Sequence, residues 1–179
     1  MQEKLFELMM AAGQKQELQE VLNCNDKSEE FGLALTKEDA EMLVQCRKTS
    51  LKEQRRVEFG GGILKELIDV FCDSQFLEQD SYAETLSELQ DIFYLYKNES
   101  EDNLTDDELL TAMRELFEDI CFGDIAYLRE TCLERFTRAI RAGYRGYEQS
   151  GAAGEYTQFS EEERWDRQMY WDTLFDQLS

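Results

Sequence analysis

The chain of 179 residues has a formal charge of −21 and contains neither histidine nor proline. Without histidine, serine–histidine and cysteine–histidine catalysis are excluded within this chain, and so is the commonest protein metal ligand. The length fits one domain, and so acidic a surface disfavours direct binding to nucleic acid or to anionic membranes.

Apolar residues recur at helical spacing along most of the chain. Leu5, Leu8, Met9 and Ala12 predict a short first helix. The stretch 23–35 reads as a loop, with Phe31 and Leu33 as its expected anchors. Further on, four predicted helix starts have the capping-box pattern, a hydroxyl residue followed three positions later by an acid: Thr36 with Asp39, Ser81 with Glu84, Thr105 with Glu108, and Ser160 with Glu163.

No alternating pattern long enough for a strand interrupts these helices. The fold class predicted from the sequence is therefore all-α, a compact helical bundle of about six or seven helices with a tethered C-terminal amphipathic helix.

Three consecutive glycines, Gly60, Gly61 and Gly62, precede the helix that begins near Leu64. A phosphate-binding P-loop requires a strand before the loop and a Lys-Ser/Thr pair at its end. Here the preceding residues are charged and helical in pattern, and Lys65 is followed by Glu66. The glycines are interpreted as a structural turn between two helices, with no bound nucleotide.

The domain organisation follows from a change in composition after Arg141. Residues 1–142 are predicted as a helical domain, 143–159 as a glycine-rich linker, and 160–179 as an aromatic amphipathic helix. This last helix is the candidate partner-binding site. It would dock on its own domain, on a second copy or on another protein. Its apolar residues are Trp165, Met169, Trp171, Leu174, Phe175 and Leu178.

Two acidic features were compared with known metal and catalytic sites. The loop 98–108 resembles an EF-hand in charge but has Asn103 where glycine is expected and Leu109 where a bidentate glutamate is required. The carboxylates of the following helix are expected to form a solvated face. The five cysteines show no C-x-x-C spacing, so buried reduced thiols are expected. No cofactor and no metal are predicted.

Basic residues are concentrated in two stretches of this acidic chain. Residues 47–56 contain five basic residues and one acid, and 125–146 contain five arginines and two glutamates, whereas 66–124 contains 18 acids and two basic residues. Arg138, Arg141 and Arg145 share one helical face, which is expected to pair with acidic helices; an anion or nucleic-acid site is the alternative.

Several short stretches resemble an uncharacterised family of bacterial helical proteins, known chiefly from anaerobic Firmicutes and described as a domain of unknown function. The similarity covers about residues 31–141, and it implies a helical domain with no assigned activity, cofactor or catalytic residue. The stretches are Phe31-Gly32-Leu33, Leu35-Thr36, the basic run 47–56, Arg56 to Ile63, Phe71-Cys72-Asp73-Ser74, and Phe93-Tyr94 with Lys97-Asn98-Glu99.

These observations favour a non-enzymatic, acidic helical protein–protein interaction module. No apolar run approaches the ~18 residues of a membrane span and no signal peptide is recognised, so a cytoplasmic location is expected. The partner is expected to be a protein or a second copy. The alternative is an acidic decoy that mimics nucleic-acid charge and occupies a basic nucleic-acid-binding protein; its binding would be steeply salt-dependent. An enzyme is the third hypothesis.

Overall fold

The computed structural model describes residues 2–58 and 62–143, and within these residues it contains helices and no strand. The all-α prediction is confirmed. The chain divides into two compact units, Met1–Asp91 and Ile92–Ser179. The division falls inside one long helix, α5, a boundary that lies within the predicted domain 1–142.

The first unit contains four helices and the first half of a fifth. Their bounds are α1 Gln2–Asn23, α2 Asn25–Ser28, α3 Lys37–Glu53, α4 Leu64–Phe71 and α5 Tyr82–Glu99, with 3₁₀ turns at Glu29–Phe31 and Gln79–Ser81. Helix α1 packs on α3 and α4, and α2 packs on α4. The fully buried residues include Leu43, Leu67, Ile68, Phe71, Leu86 and Leu89.

The second unit contains the rest of α5 and the helices that follow it. These are α6 Asp106–Asp119, α7 Ile125–Tyr127, a π-helical turn Leu128–Cys132, and α8 Leu133–Arg141. Apolar residues recur at helical spacing from Ile125 to Ile140, and the structure is helical over this stretch, with the π turn between α7 and α8. The buried residues include Phe93, Leu109, Met113, Leu116, Leu128 and Phe136.

Two of the predicted capping boxes are confirmed in the described residues. In α3 the Asp39 amide donates to Thr36 Oγ1 at 3.1 Å, and the Thr36 amide donates to Asp39 Oδ2 at 2.9 Å. In α6 Glu108 and Thr105 make the same reciprocal pair, at 3.2 and 2.7 Å. Helix α5 begins directly after Ser81, as predicted. Ser160 lies outside the described residues.

The stretch 23–35 differs from its prediction as a loop. It contains α2 and a 3₁₀ turn, because polar side chains there bond to the backbone: Asn25 exchanges two hydrogen bonds with Leu35, at 2.9 and 2.8 Å, and Ser28 Oγ donates to the Leu33 carbonyl at 2.7 Å. Leu33 is buried as expected. Phe31 is 48% exposed, so the prediction that it anchors this stretch is wrong.

The capping box of α3 gives a paired test in one helix. Thr36→Ala removes the acceptor for a free helix-end amide and should lower the free energy of unfolding by about 1 kcal/mol. Thr49→Ala, at an exposed position within the same helix, should be neutral or slightly stabilising because alanine is the better helix former. Urea denaturation of both variants measures the two free energies of unfolding. Equal losses of stability would show that the Thr36 cap does not stabilise α3.

Tyr96 gives an expected pH dependence. Its hydroxyl donates to the Arg129 carbonyl, and burial, with a smaller effect of the Glu134 charge, raises the pKa of Tyr96 from about 10 to about 12. The folded state holds this proton more tightly than the unfolded state. The stability tied to it is therefore fully present below pH ~10 and is lost as the pH rises toward ~12. Urea midpoints measured across this range should fall more steeply in the parent than in Tyr96→Phe.

Candidate interaction surface

Helix α1 has two parts with different surroundings. Residues 17–23 contact the rest of the first unit, and Val21 is buried. Residues 2–16 are exposed at every position. Five large apolar side chains in this exposed segment are between 51% and 66% exposed: Leu5, Phe6, Leu8, Met9 and Met10. An apolar helix segment without packing is unusual, because soluble monomers rarely expose a large contiguous apolar patch.

In the sequence, Leu5, Leu8, Met9 and Ala12 predicted only a short first helix. The signal that this prediction missed is that Phe6 and Met10 widen the stripe on one side, so the apolar surface is broader than those four residues alone indicate.

The packed end of α1 is held by a buried arginine. Arg47, on α3, is 5% exposed. Its Nη1 lies 3.0 Å from Glu17 Oε1 on α1, and its Nε lies 3.1 Å from Glu58 Oε1. A buried guanidinium requires charged partners, because an uncompensated charge in the interior costs several kcal/mol. The three side chains therefore connect α1, α3 and the segment that leads to α4.

Gly62 provides the space that this arginine occupies. Its φ is +70°, a left-handed conformation that glycine adopts readily. A Cβ at this position would lie 2.1 Å from Arg47 Nε and 2.6 Å from its Cζ. Gly62, in the predicted glycine turn, is therefore required to be glycine for two reasons: its left-handed φ, and the close approach of the Arg47 side chain. Gly60 and Gly61 lie outside the described residues.

A small cavity lies beside this arginine. Its volume is about 150 Å³, and its walls include Glu17, Glu20, Arg47, Lys65 and Glu66. The Oε2 atom of Glu17 is buried without a hydrogen-bond partner among the described residues. Ligand pockets usually measure about 300–1,000 Å³, whereas each water occupies about 30 Å³ in the liquid. The cavity has the size and the mixed charge of a hydration site.

The acidic residues of the second unit are not all solvated. Glu115, Glu118 and Asp119 on α6 are buried, so the predicted solvated face is wrong for them. Helix α6 is buried around most of its circumference, and each of these carboxylates has an interaction partner, Glu118 with Arg114 at 3.1 Å among them. Buried carboxylates with such partners have a structural role.

The loop 98–108 uses its polar side chains internally. Ser100 Oγ donates to the Lys97 carbonyl at 3.0 Å, and Lys97 lies 2.9 Å from Asp106. Thr105 and Glu108 form the capping box. Within residues 2–58 and 62–143, no group of three or more histidine, cysteine, aspartate or glutamate side chains could hold a metal ion.

The cysteines of the described residues are free thiols. Cys121 and Cys132 are buried with their sulfurs 3.5 Å apart. The hydrogen bond to Cys132, together with burial, raises the pKa of the Cys121 thiol well above its ordinary range. A protonated, buried thiol is a weak nucleophile.

Two of the sequence-predicted basic residues form ion pairs. Arg138 pairs with Glu134 at 2.6 Å within α8, and Arg141 lies 3.7 Å from Glu99 of α5. Arg145 lies outside the described residues, as do all residues of the predicted aromatic helix: Trp165, Met169, Trp171, Leu174, Phe175 and Leu178.

Comparison with known proteins identifies the family. A family of unknown function, DUF6323, matches residues 20–146, and the chain belongs to it. No curated protein and no solved structure matches the chain. In the described residues, no helix is both long enough and apolar enough to cross a membrane.

Gly62 can be tested against a second left-handed glycine. Gly62→Ala should lower the free energy of unfolding by roughly 3–5 kcal/mol, because the new methyl displaces Arg47 from its ion pairs as well as straining the backbone. Gly32 has φ +77° and open space around its Cβ position. Gly32→Ala should therefore cost only the backbone strain, about 1–2 kcal/mol. Denaturant unfolding measures both, and equal costs would show that Arg47 does not depend on Gly62.

Proposed function

We propose that this chain is a non-enzymatic, cytoplasmic protein–protein interaction module that binds an apolar helical surface through residues 2–16 of α1. The observation that carries the proposal is the exposure of this segment along three or more turns, with five large apolar side chains in contact with solvent.

The physical support comes from helix stability. Isolated helices shorter than about 12–15 residues are marginal in water, because most helix stability in proteins comes from packing an apolar face. The segment 2–16 has this length and is exposed at every position. A partner that covers the apolar side chains would stabilise the helix and remove the exposed patch, as when an amphipathic helix lies in a groove.

Charge distinguishes this proposal from the acidic decoy. The segment 2–16 contains two acids, Glu3 and Glu7, and two lysines, Lys4 and Lys15, so its formal charge is zero. Binding through this segment should therefore change little with salt. A decoy that binds through the acidic stretch 66–124 should lose affinity steeply as salt screens its charges.

A photo-crosslinking amino acid placed at Leu8 tests the proposal in the native cell. The same group at Glu41, an exposed position on α3, is the matched control. We expect a protein adduct from position 8, mapped by mass spectrometry to an apolar helix, and none from position 41. Adding Met9→Glu should abolish the adduct. Its yield in cell extract should be the same at roughly 0.05 and 0.5 M salt.

The proposal is wrong if position 8 gives no protein adduct, or if Met9→Glu leaves the adduct unchanged. A salt-sensitive adduct at position 41 and none at position 8 would favour the decoy instead.

A further inference from the structure

We infer that the occupant of the exposed segment of α1 is a second copy of the same helix, paired antiparallel about a two-fold axis at Met9. This inference rests on the proposed function and specifies its partner. Three features of residues 2–16 support it: their order of side-chain sizes, their symmetry about Met9, and their charge.

Helical spacing determines which residues share a face with Met9 on its N-terminal and C-terminal sides. Residues three, four and seven positions from Met9 lie on its face of the helix. Toward the N-terminus these are Phe6, Leu5 and Gln2, and toward the C-terminus they are Ala12, Gly13 and Gln16. The face is thus large and apolar on one side of Met9, small on the other, and has an amide at each end.

An antiparallel pair of such helices brings large residues beside small ones. With the axis at Met9, position i of one copy lies level with position 18 − i of the other. Leu5 then packs beside Gly13 of the other copy, Phe6 packs beside Ala12, and the two Met9 side chains meet. Gly13 has open space around its Cβ position in the structure. A parallel pair would place Leu5 against Leu5 and leave Gly13 against Gly13, which packs less evenly.

The charge of the segment also favours a second copy. Two chains of −21 repel each other wherever their acidic surfaces meet. Residues 2–16 have no net charge, so two copies can touch there without like-charge repulsion at the contact. Identical chains associate most often through a two-fold axis, and antiparallel helices satisfy this symmetry. A basic foreign partner would gain nothing from a neutral segment.

Light scattering of the full chain after size exclusion, over a wide range of concentration, tests the association. We expect a dimer. Leu5→Glu with Met9→Glu should raise its dissociation constant roughly 100-fold or more, because each change buries a charge at the centre of the contact. Ala11→Glu with Gln14→Glu adds the same charge on the opposite side of α1 and should leave the dimer intact. The folded state of each variant is checked by circular dichroism.

Engineered disulfides test the direction and register. Under mild oxidation with oxidised glutathione, Met9→Cys should link two chains, and so should Leu5→Cys combined with Gly13→Cys in one chain. Leu5→Cys alone should not, because at 1.5 Å per residue its two copies lie about 12 Å apart along the axis, beyond disulfide reach. The parent, with its own five cysteines, gives the background.

A monomer at all concentrations overturns the inference, and so does a dimer that survives the Leu5 and Met9 substitutions. A link through Leu5→Cys alone also overturns it, because that result indicates a parallel pair. If the chain is monomeric but the photo-crosslinker at Leu8 reaches the helix of a different protein, the inference fails while the proposed function stands. If the chain is monomeric and the photo-crosslinker at Leu8 gives no protein adduct, both the inference and the proposed function are wrong.

Discussion

The position of α1 depends on one buried charge, the guanidinium of Arg47. Burying it is favourable because Glu17 and Glu58 lie within hydrogen-bond distance and together compensate its charge. Glu17 is the first residue after the exposed segment of α1. The ion pair therefore fixes α1 at the point where it leaves the packed unit, and it sets where residues 2–16 are presented. Gly62 belongs to the same arrangement because no larger residue fits beside the guanidinium.

Local features of this fold could be predicted from the sequence, whereas this ion pair could not. The boxes at Thr36 and Thr105 involve residues three positions apart, so their hydrogen bonds follow from helix geometry. Glu17 and Arg47 are 30 residues apart. In sequence, Arg47 begins a run of basic residues, and nothing in that run marks it for burial. Only the tertiary arrangement distinguishes this buried cation from the exposed Lys52 and Arg55 of the same run.

Residue type alone gives the wrong burial in two places: acids of α6 are buried, and apolar residues of α1 are exposed. Residue type predicts burial well on average, but it fails where a charge has a partner or where an apolar side chain lacks one. Glu115 and Asp119 are buried with partners, and Leu5 and Met9 are exposed without packing. In both places the burial of the side chain depends on its tertiary contacts, which the sequence does not show. The aromatic helix predicted at 160–179 lies outside the described residues and stays a prediction.

The family relationship and the interaction surface concern different parts of the chain. The match to DUF6323 begins at residue 20, so it includes Arg47, Glu58 and Gly62 but not the exposed segment 2–16. Membership therefore concerns the packed helices and says nothing about a surface on α1. Residues 2–16 of α1 have no net charge and expose five large apolar side chains, and a helix segment of this kind gains little stability in water unless a partner covers it. The order of large and small residues about Met9 makes a copy of itself the simplest such cover.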